Sequence, residues 1–167
     1  FSDMANNAGT QVTAVANDSD GGVTFDKQAP SFTTVTMSSN NSTSTLAIVN
    51  DVITINLTSD EAIKAGSDPT ITVNGNTATV TRNSTTSFTA TYTMSSPADD
   101  AIDGSSIPIN ISAYTDATGN AGTTVTATTD GSSVTYDKTL PTLGTVTIAS
   151  DNTYDHLATT GDVITLT

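Results

Sequence analysis

The chain has 167 residues, with 17 acidic and 4 basic side chains and a formal net charge of −13. That balance argues against nucleic acid and anionic membranes as partners, because both are held by Lys and Arg. The absence of cysteine excludes disulfides, thiolate metal sites and cysteine nucleophiles.

Phe1 does not open a signal peptide, so any targeting signal is expected outside this stretch, and no apolar run approaches the length of a membrane span. Threonine alone supplies over a fifth of the chain, a β-branched residue suited to the solvated face of a strand. From Asp26 onward, apolar and polar residues alternate with period two, the mark of half-buried strands. The expected inward residues are, in order, Val35 and Met37; Ile53, Ile55 and Leu57; Ile71 and Val73; Ala78 and Val80. Phe88, Ala90, Tyr92 and Met94 follow, then Ile107, Ile109, Ile111 and Ala113, then Val125 and Ala127 with Val134 and Tyr136. Turn signals separate them at Asn74-Gly75-Asn76, Asn83-Ser84, Asp103-Gly104 and Gly119-Asn120. Pro108 falls near a strand start, where a missing donor is tolerated. Only Asp60 to Ala65 has the composition for a helical turn.

The chain also repeats itself. Phe1-Ser2-Asp3-Met4-Ala5-Asn6-Asn7-Ala8-Gly9-Thr10 lines up with Tyr114-Thr115-Asp116-Ala117-Thr118-Gly119-Asn120-Ala121-Gly122-Thr123. Val23 to Lys27 matches Val134 to Lys138, and Asn50-Asp51-Val52-Ile53-Thr54 matches Gly161-Asp162-Val163-Ile164-Thr165, these two blocks sharing a single spacing. Ordered blocks with one small indel point to a tandem unit of about 111 residues. The expected organisation is the end of one repeat over 1–25, a complete repeat over 26–136, and the start of the next over 137–167. Cut this way, the partial repeats carry unpaired strand edges, so a longer molecule or neighbouring chains are expected to complete them. Roughly seven strands per unit with no useful helix read as an all-β, Ig-like β-sandwich. Without Cys or Trp, the likeness to antibody domains is architectural.

The Asp-Lys-x-x-Pro connectors (Asp26 to Pro30, Asp137 to Pro141), the Asn/Gly-Asp-Val-Ile-Thr strand starts and the Tyr-Thr-Asp-Ala-Thr-Gly-Asn-Ala-Gly segment resemble bacterial Ig-like tandem repeats. Such repeats occur in giant cell-surface adhesins of marine and gliding bacteria. The resemblance implies an exported extender or adhesive filament displayed on the bacterial cell surface.

Catalytic patterns are weak. The single His156 falls where the complete repeat has Thr45, so the full unit has no imidazole there. Asp99, Asp100 and Asp103 sit in a polar loop with no aromatic platform for a sugar. No phosphate loop, EF-hand or His/Cys metal spacing is present, and no enzyme is expected. Lys27, Lys64 and Lys138 lie in connectors or loops, unlike the buried Lys that an isopeptide crosslink needs. Calcium is the chemistry the residues favour, since hard cations take several carboxylate and amide oxygens from flexible loops. In a sandwich of this order the chain entry and two loops share one end. Asp26, Asp60, Glu61, Asp116 and Asn120 are therefore expected to converge at the junction between repeats. The competing reading makes Asp26 and Asp116 turn-formers bonded to nearby amides, and Asn120 a left-handed turn residue.

The expected function is an extender that gives reach and stiffness for surface attachment, with neighbouring repeats as its partners. The alternatives are a module binding surface glycans, other cells or another polymer, and a filament subunit whose strands complete its neighbour. A glycan-binding face would show a row of exposed aromatics, yet aromatics are 5% of the chain.

Overall fold

The computed structural model describes residues 2–10 and 23–167. Phe1 and residues 11–22 of the N-terminal segment lie outside the described residues. The described residues are all-β, forming several mostly antiparallel sheets with no α-helix. In chain order the strands are β1 (Phe32–Ser39), β2 (Leu46–Ala47), β3 (Val52–Ser59), β4 (Thr70–Val73), β5 (Asn76–Thr77) and β6 (Thr79–Arg82). They continue with β7 (Ser87–Thr93), β8 (Ser105–Ser106), β9 (Ile109–Ser112), β10 (Thr135–Tyr136), β11 (Ile148–Ser150) and β12 (Ile164–Leu166).

The largest sheet has the order β1-β3-β7-β6 and is antiparallel throughout. Its register follows from the period-two alternation: Met37 pairs with Ile55, Ile55 with Ala90 and Ala90 with Val80. One row of apolar side chains thus lies on the same face, while Thr36, Asn56, Thr89 and Thr81 form the matching row on the other. A one-residue slip would turn the apolar row to water, so the pattern fixes the register. A second sheet, β5-β4-β9, contributes Ile71, Val73, Ile109 and Ile111 to the same buried cluster as Val35, Ile53, Ile55, Leu57 and Phe88. Burying a side chain of this size contributes about 1.5–3 kcal/mol, so the shared core is the main source of stability. Asn74 and Gly75, both at positive φ (49° and 76°), make the two-residue turn from β4 to β5, the geometry that matches strand twist. The chain then crosses at Ala78 from the second sheet into β6 of the first. A small sheet, β2-β10-β8, in which β10 runs parallel to β2, ties the last strand of the 26–136 region to the β2 segment and the β8 loop.

Three local expectations fail. Ala113 is exposed, because it sits at φ 58° and reverses the alternation after β9; the side chain that points inward is Tyr114. Its ring packs on Phe32 with centroids 4.7 Å apart, and its hydroxyl donates to the Thr123 carbonyl at 2.7 Å. Ala127 is exposed as well, and no regular strand forms there. At the β1 edge a single backbone bond, from the Thr129 amide to the Val35 carbonyl (2.8 Å), is joined by side-chain hydroxyls: the Val35 amide donates to Thr129 Oγ1 (2.9 Å) and the Met37 amide to Ser132 Oγ (2.8 Å). Asp60 to Ala65 forms no helical turn, because Ile63 is buried and bridges to Asp116; the short 3-10 turn falls at Asp100–Ile102.

Beyond Tyr136, β11 and β12 form an antiparallel hairpin with Ile148 opposite Leu166 and Ser150 opposite Ile164. No helix among the described residues is long and apolar enough to cross a membrane.

Candidate metal centre

The end of β3 supplies the first side chains of the site. Ser59 is buried, and its hydroxyl donates to the Glu61 carbonyl at 2.5 Å. The Asp60 amide donates to the Ser31 carbonyl at 3.0 Å. These bonds hold Asp60 and Glu61 just past the strand, beside the chain entry.

The loop after Tyr114 supplies the next. Asp116 is buried, and its Oδ1 accepts from the amides of Thr118 (2.8 Å), Gly119 (2.6 Å) and Asn120 (2.9 Å) and from Thr118 Oγ1 (2.9 Å). Asn120 Nδ2 donates to Asp116 Oδ2 at 2.7 Å and reaches the Asp26 carbonyl at 3.5 Å. The turn reading of Asp116 therefore describes one of its oxygens, while the other faces Asn120 and the chain entry. Asp26 uses its own Oδ1 to accept the Gln28 amide at 2.9 Å.

Asp26, Glu61 and Asp116 each offer a carboxylate oxygen, and the three oxygens lie within 4.8 Å of one another. Glu61 Oε1 is buried with no hydrogen-bond partner among the described residues. Burial pushes the Glu61 carboxyl above its usual range, and the charges of Asp26, Asp116 and Asp60 push it the same way. For Asp116, burial also pushes upward, but the bonds from Asn120, Thr118 and Gly119 outweigh it and bring the carboxyl down to about 2. Asp116 is thus a fixed anion, and Glu61 is the member whose charge is poorly compensated by protein groups.

The donor set is all oxygen. It suits a hard cation, calcium above all, whose carboxylate, carbonyl and water ligands sit at about 2.3–2.6 Å in flexible geometry. Asp26, Glu61 and Asp116 are the residues that would hold it, and the ion would supply the counter-charge that Glu61 Oε1 lacks.

The other two sequence candidates have different roles. Asp60 lies next to the cluster, but Ser31 occupies both its oxygens, through its amide at 2.8 Å and its hydroxyl at 2.7 Å. Those bonds lower the Asp60 pKa. Asn120 braces the cluster through its amide nitrogen. His156 is exposed in the distal hairpin, 3.4 Å from Asp155.

Sequence reasoning missed Asp99. Placed by pattern in a polar loop, it is fully buried and accepts from Asn74 Nδ2 (2.9 Å), Asn76 Nδ2 (3.3 Å), the Tyr92 hydroxyl (3.0 Å) and the Ser95 amide (2.8 Å). The signal was the pair of Asn residues flanking Gly75, whose amides need acceptors once the turn folds against the loop. No protein-family model matches the chain, and neither a curated protein nor a solved structure matches it.

Proposed function

We propose that the chain is part of an exported bacterial surface fibre built from tandem Ig-like β-sandwich units, serving as an extender and not as an enzyme. The carrying observation is the return of whole hydrogen-bonded devices at the spacing of the sequence repeat. In the β1–β3 connection, Asn41 Nδ2 and the Ile48 amide donate to Asp51 Oδ2, and the Val52 amide donates to Asn40 Oδ1. In the β11–β12 connection, Asn152 Nδ2 and the Thr159 amide donate to Asp162 Oδ2, and the Val163 amide donates to Asp151 Oδ1. Every donor and acceptor of the second device is the repeat counterpart of one in the first: Asn152 of Asn41, Thr159 of Ile48, Asp162 of Asp51, Val163 of Val52 and Asp151 of Asn40. The Asp116 loop returns too. The Ala5 and Asn7 amides donate to Asp3 Oδ1, and Asn7 Nδ2 to Asp3 Oδ2, with Asp3 and Asn7 at the positions that align with Asp116 and Asn120.

Charge placement supports the extender reading. Among the described residues no strand contains a carboxylate, and Arg82 is the only charged side chain within one. The outward rows of the main sheet carry Thr, Ser and Asn beside Val52, and no aromatic; Tyr92 belongs to the inward row, half-buried and bonded to Asp99. A sugar-binding face would need exposed rings. The acidic groups lie in loops, among them the three at the entry end. Calcium held there by Asp26, Glu61 and Asp116 cancels repulsion and stiffens the junction, turning a flexible string of units into a rod.

The test is thermal unfolding and small-angle scattering of a polypeptide of three successive units, with calcium and with chelator. Calcium should raise the melting temperature and lengthen the particle, and Glu61→Ala or Asp116→Ala in each unit should abolish both effects. If neither quantity moves at millimolar calcium, the cation part of the reading is wrong. A particle that is compact in both conditions would overturn the extender itself.

A further inference from the structure

The two Asp-Lys connectors are seen in different settings, and each displays contacts that the other lacks. At the second connector the chain is held backward. Lys138 Nζ lies 2.7 Å from Asp100 Oδ2. The Lys138 amide donates to Asp103 Oδ1 at 2.8 Å, and Thr139 Oγ1 donates to Asp103 Oδ2 at 3.0 Å. The 3-10 turn Asp100–Ile102 sets the two carboxylates on one loop, and Ser96 Oγ also donates to Asp100 Oδ2 at 3.1 Å. The loop is anchored in turn, since the Gly104 amide donates to the Tyr136 carbonyl at 2.7 Å and the Asp137 amide to the Ala47 carbonyl at 2.9 Å. The loop thus grips the residues that follow the last strand, Asp137 to Thr139.

At the first connector the chain is held forward. Asp26, the counterpart of Asp137, has its carboxylate in the cluster with Glu61 and Asp116 and its carbonyl within reach of Asn120. The connectors share their own local bond as well. The Gln28 amide donates to Asp26 Oδ1 at 2.9 Å, and the Thr139 amide to Asp137 Oδ1 at 2.8 Å. The two segments thus share the same Asp-to-amide bond at matching positions, which makes their contacts comparable.

We infer that the Asp-Lys-x connector is a two-sided clamp: its Lys and third residue grip the Asp100/Asp103 loop of the unit before, and its Asp docks in the carboxylate cluster of the unit after. The inference rests on the repeat reading for combining the halves, but each half stands on contacts within this chain. The clamp leaves no free residue between the two grips, so a cation that relieves the repulsion among Asp26, Glu61 and Asp116 would tighten the forward grip on a connector already held from behind. The backward grip is an ion pair plus neutral bonds near the surface, and salt weakens the ion pair.

Trypsin reads both halves in one digestion of the full chain, because Lys27, Lys64, Arg82 and Lys138 are its only sites. Cleavage requires the local chain to open, so its rate reports the grip on each connector. Asp100→Asn with Asp103→Asn should speed cleavage after Lys138 by roughly an order of magnitude and leave Lys27 unchanged. Asn120→Ala should speed cleavage after Lys27 and leave Lys138 unchanged. Lys64 and Arg82 lie inside the 26–136 region, and unchanged cleavage there shows that a variant is still folded; conservative Asp103→Glu, tested alone, covers a double variant that fails this control. Unchanged cleavage after Lys138 in the folded Asp variants overturns the backward grip, and unchanged cleavage after Lys27 in Asn120→Ala overturns the forward one. Calcium added to the parent chain should slow cleavage at Lys27 alone; its failure to do so would count against the cation reading and not against the clamp.

Discussion

The β1–β3 and β11–β12 hairpins carry the same strand pairing and the same side-chain devices, yet among the described residues only one of them is inside a core. Val35 and Ile55 are 0% exposed, whereas their counterparts Val146 and Leu166 are 54% and 67% exposed. The hairpin's shape is therefore set by near neighbours: Asn and Asp side chains that bond backbone amides across the connection. Its burial is set by a second sheet, which β11–β12 lacks among the described residues. Local geometry and stability come from separate sources in this chain, and the paired hairpins allow each to be perturbed alone.

The largest expected difference is in the core. Ile55→Ala removes a fully buried side chain and should cost about 2–5 kcal/mol. Leu166→Ala, at the matching position, should stay within about 0.5 kcal/mol. Urea unfolding followed by circular dichroism measures both, and equal losses would show that β11–β12 shares the cooperative core. Asp99→Ala comes next. It leaves the amides of Asn74, Asn76 and Ser95 and the Tyr92 hydroxyl without their charged acceptor, at roughly 1.5–3 kcal/mol for bonds of this kind. Gly122→Ala should cost about 1–3 kcal/mol, because a Cβ there would stand 2.0 Å from the Tyr114 ring. Gly144→Ala, with nothing within 4 Å, should be neutral. If Gly122→Ala is neutral too, Tyr114 has room to move and its packing on Phe32 is loose.

What was legible in the sequence follows the same division. Period-two alternation and the Asn74-Gly75 turn are local properties, and they placed the strands of both main sheets and most of the core. The chain order of loops was enough to put Asp26, Glu61 and Asp116 at one end. What could not be read was set by contacts distant in sequence. Asp60 was grouped with the cluster because nothing local shows that Ser31 would take both its oxygens. Asp99 resembled any acid in a polar loop until Asn74, Asn76 and Tyr92 closed over it. Ala113 and Ala127 fitted the alternation, but a positive φ and the hydroxyl bonds of Thr129 and Ser132 interrupted it.

A smaller effect separates the two hairpins again. Asp51→Ala should lower stability by about 1 kcal/mol, as loss of a capping-type acceptor does. Asp162→Ala deletes the matching bonds and should leave the main transition where it was, altering only the amide resonances of Thr159 and its neighbours. A drop in the main transition for Asp162→Ala would mean that the distal hairpin supports the core.

The finest distinction lies within the carboxylate cluster, where two acids respond to pH with opposite sign. Asp116 has a folded pKa of about 2 against the usual 3.8. Its contribution is fully present above 3.8 and is lost as pH falls towards 2. Glu61 is shifted above 4.5, so the folded state takes up its proton first, and acidification through that window adds stability. The fold should therefore hold down to about pH 4 and weaken between about 4 and 2. Any calcium-dependent gain in melting temperature should fade earlier, as Glu61 protonates. Glu61→Gln separates repulsion from ligation. At about pH 7 in chelator it should melt no lower than the parent, because it removes a crowded charge, and it should gain nothing from calcium. A lower melting temperature in chelator would show that the Glu61 carboxylate makes a stabilising contact of its own, and a counter-ion at the chain entry would then lose its physical basis.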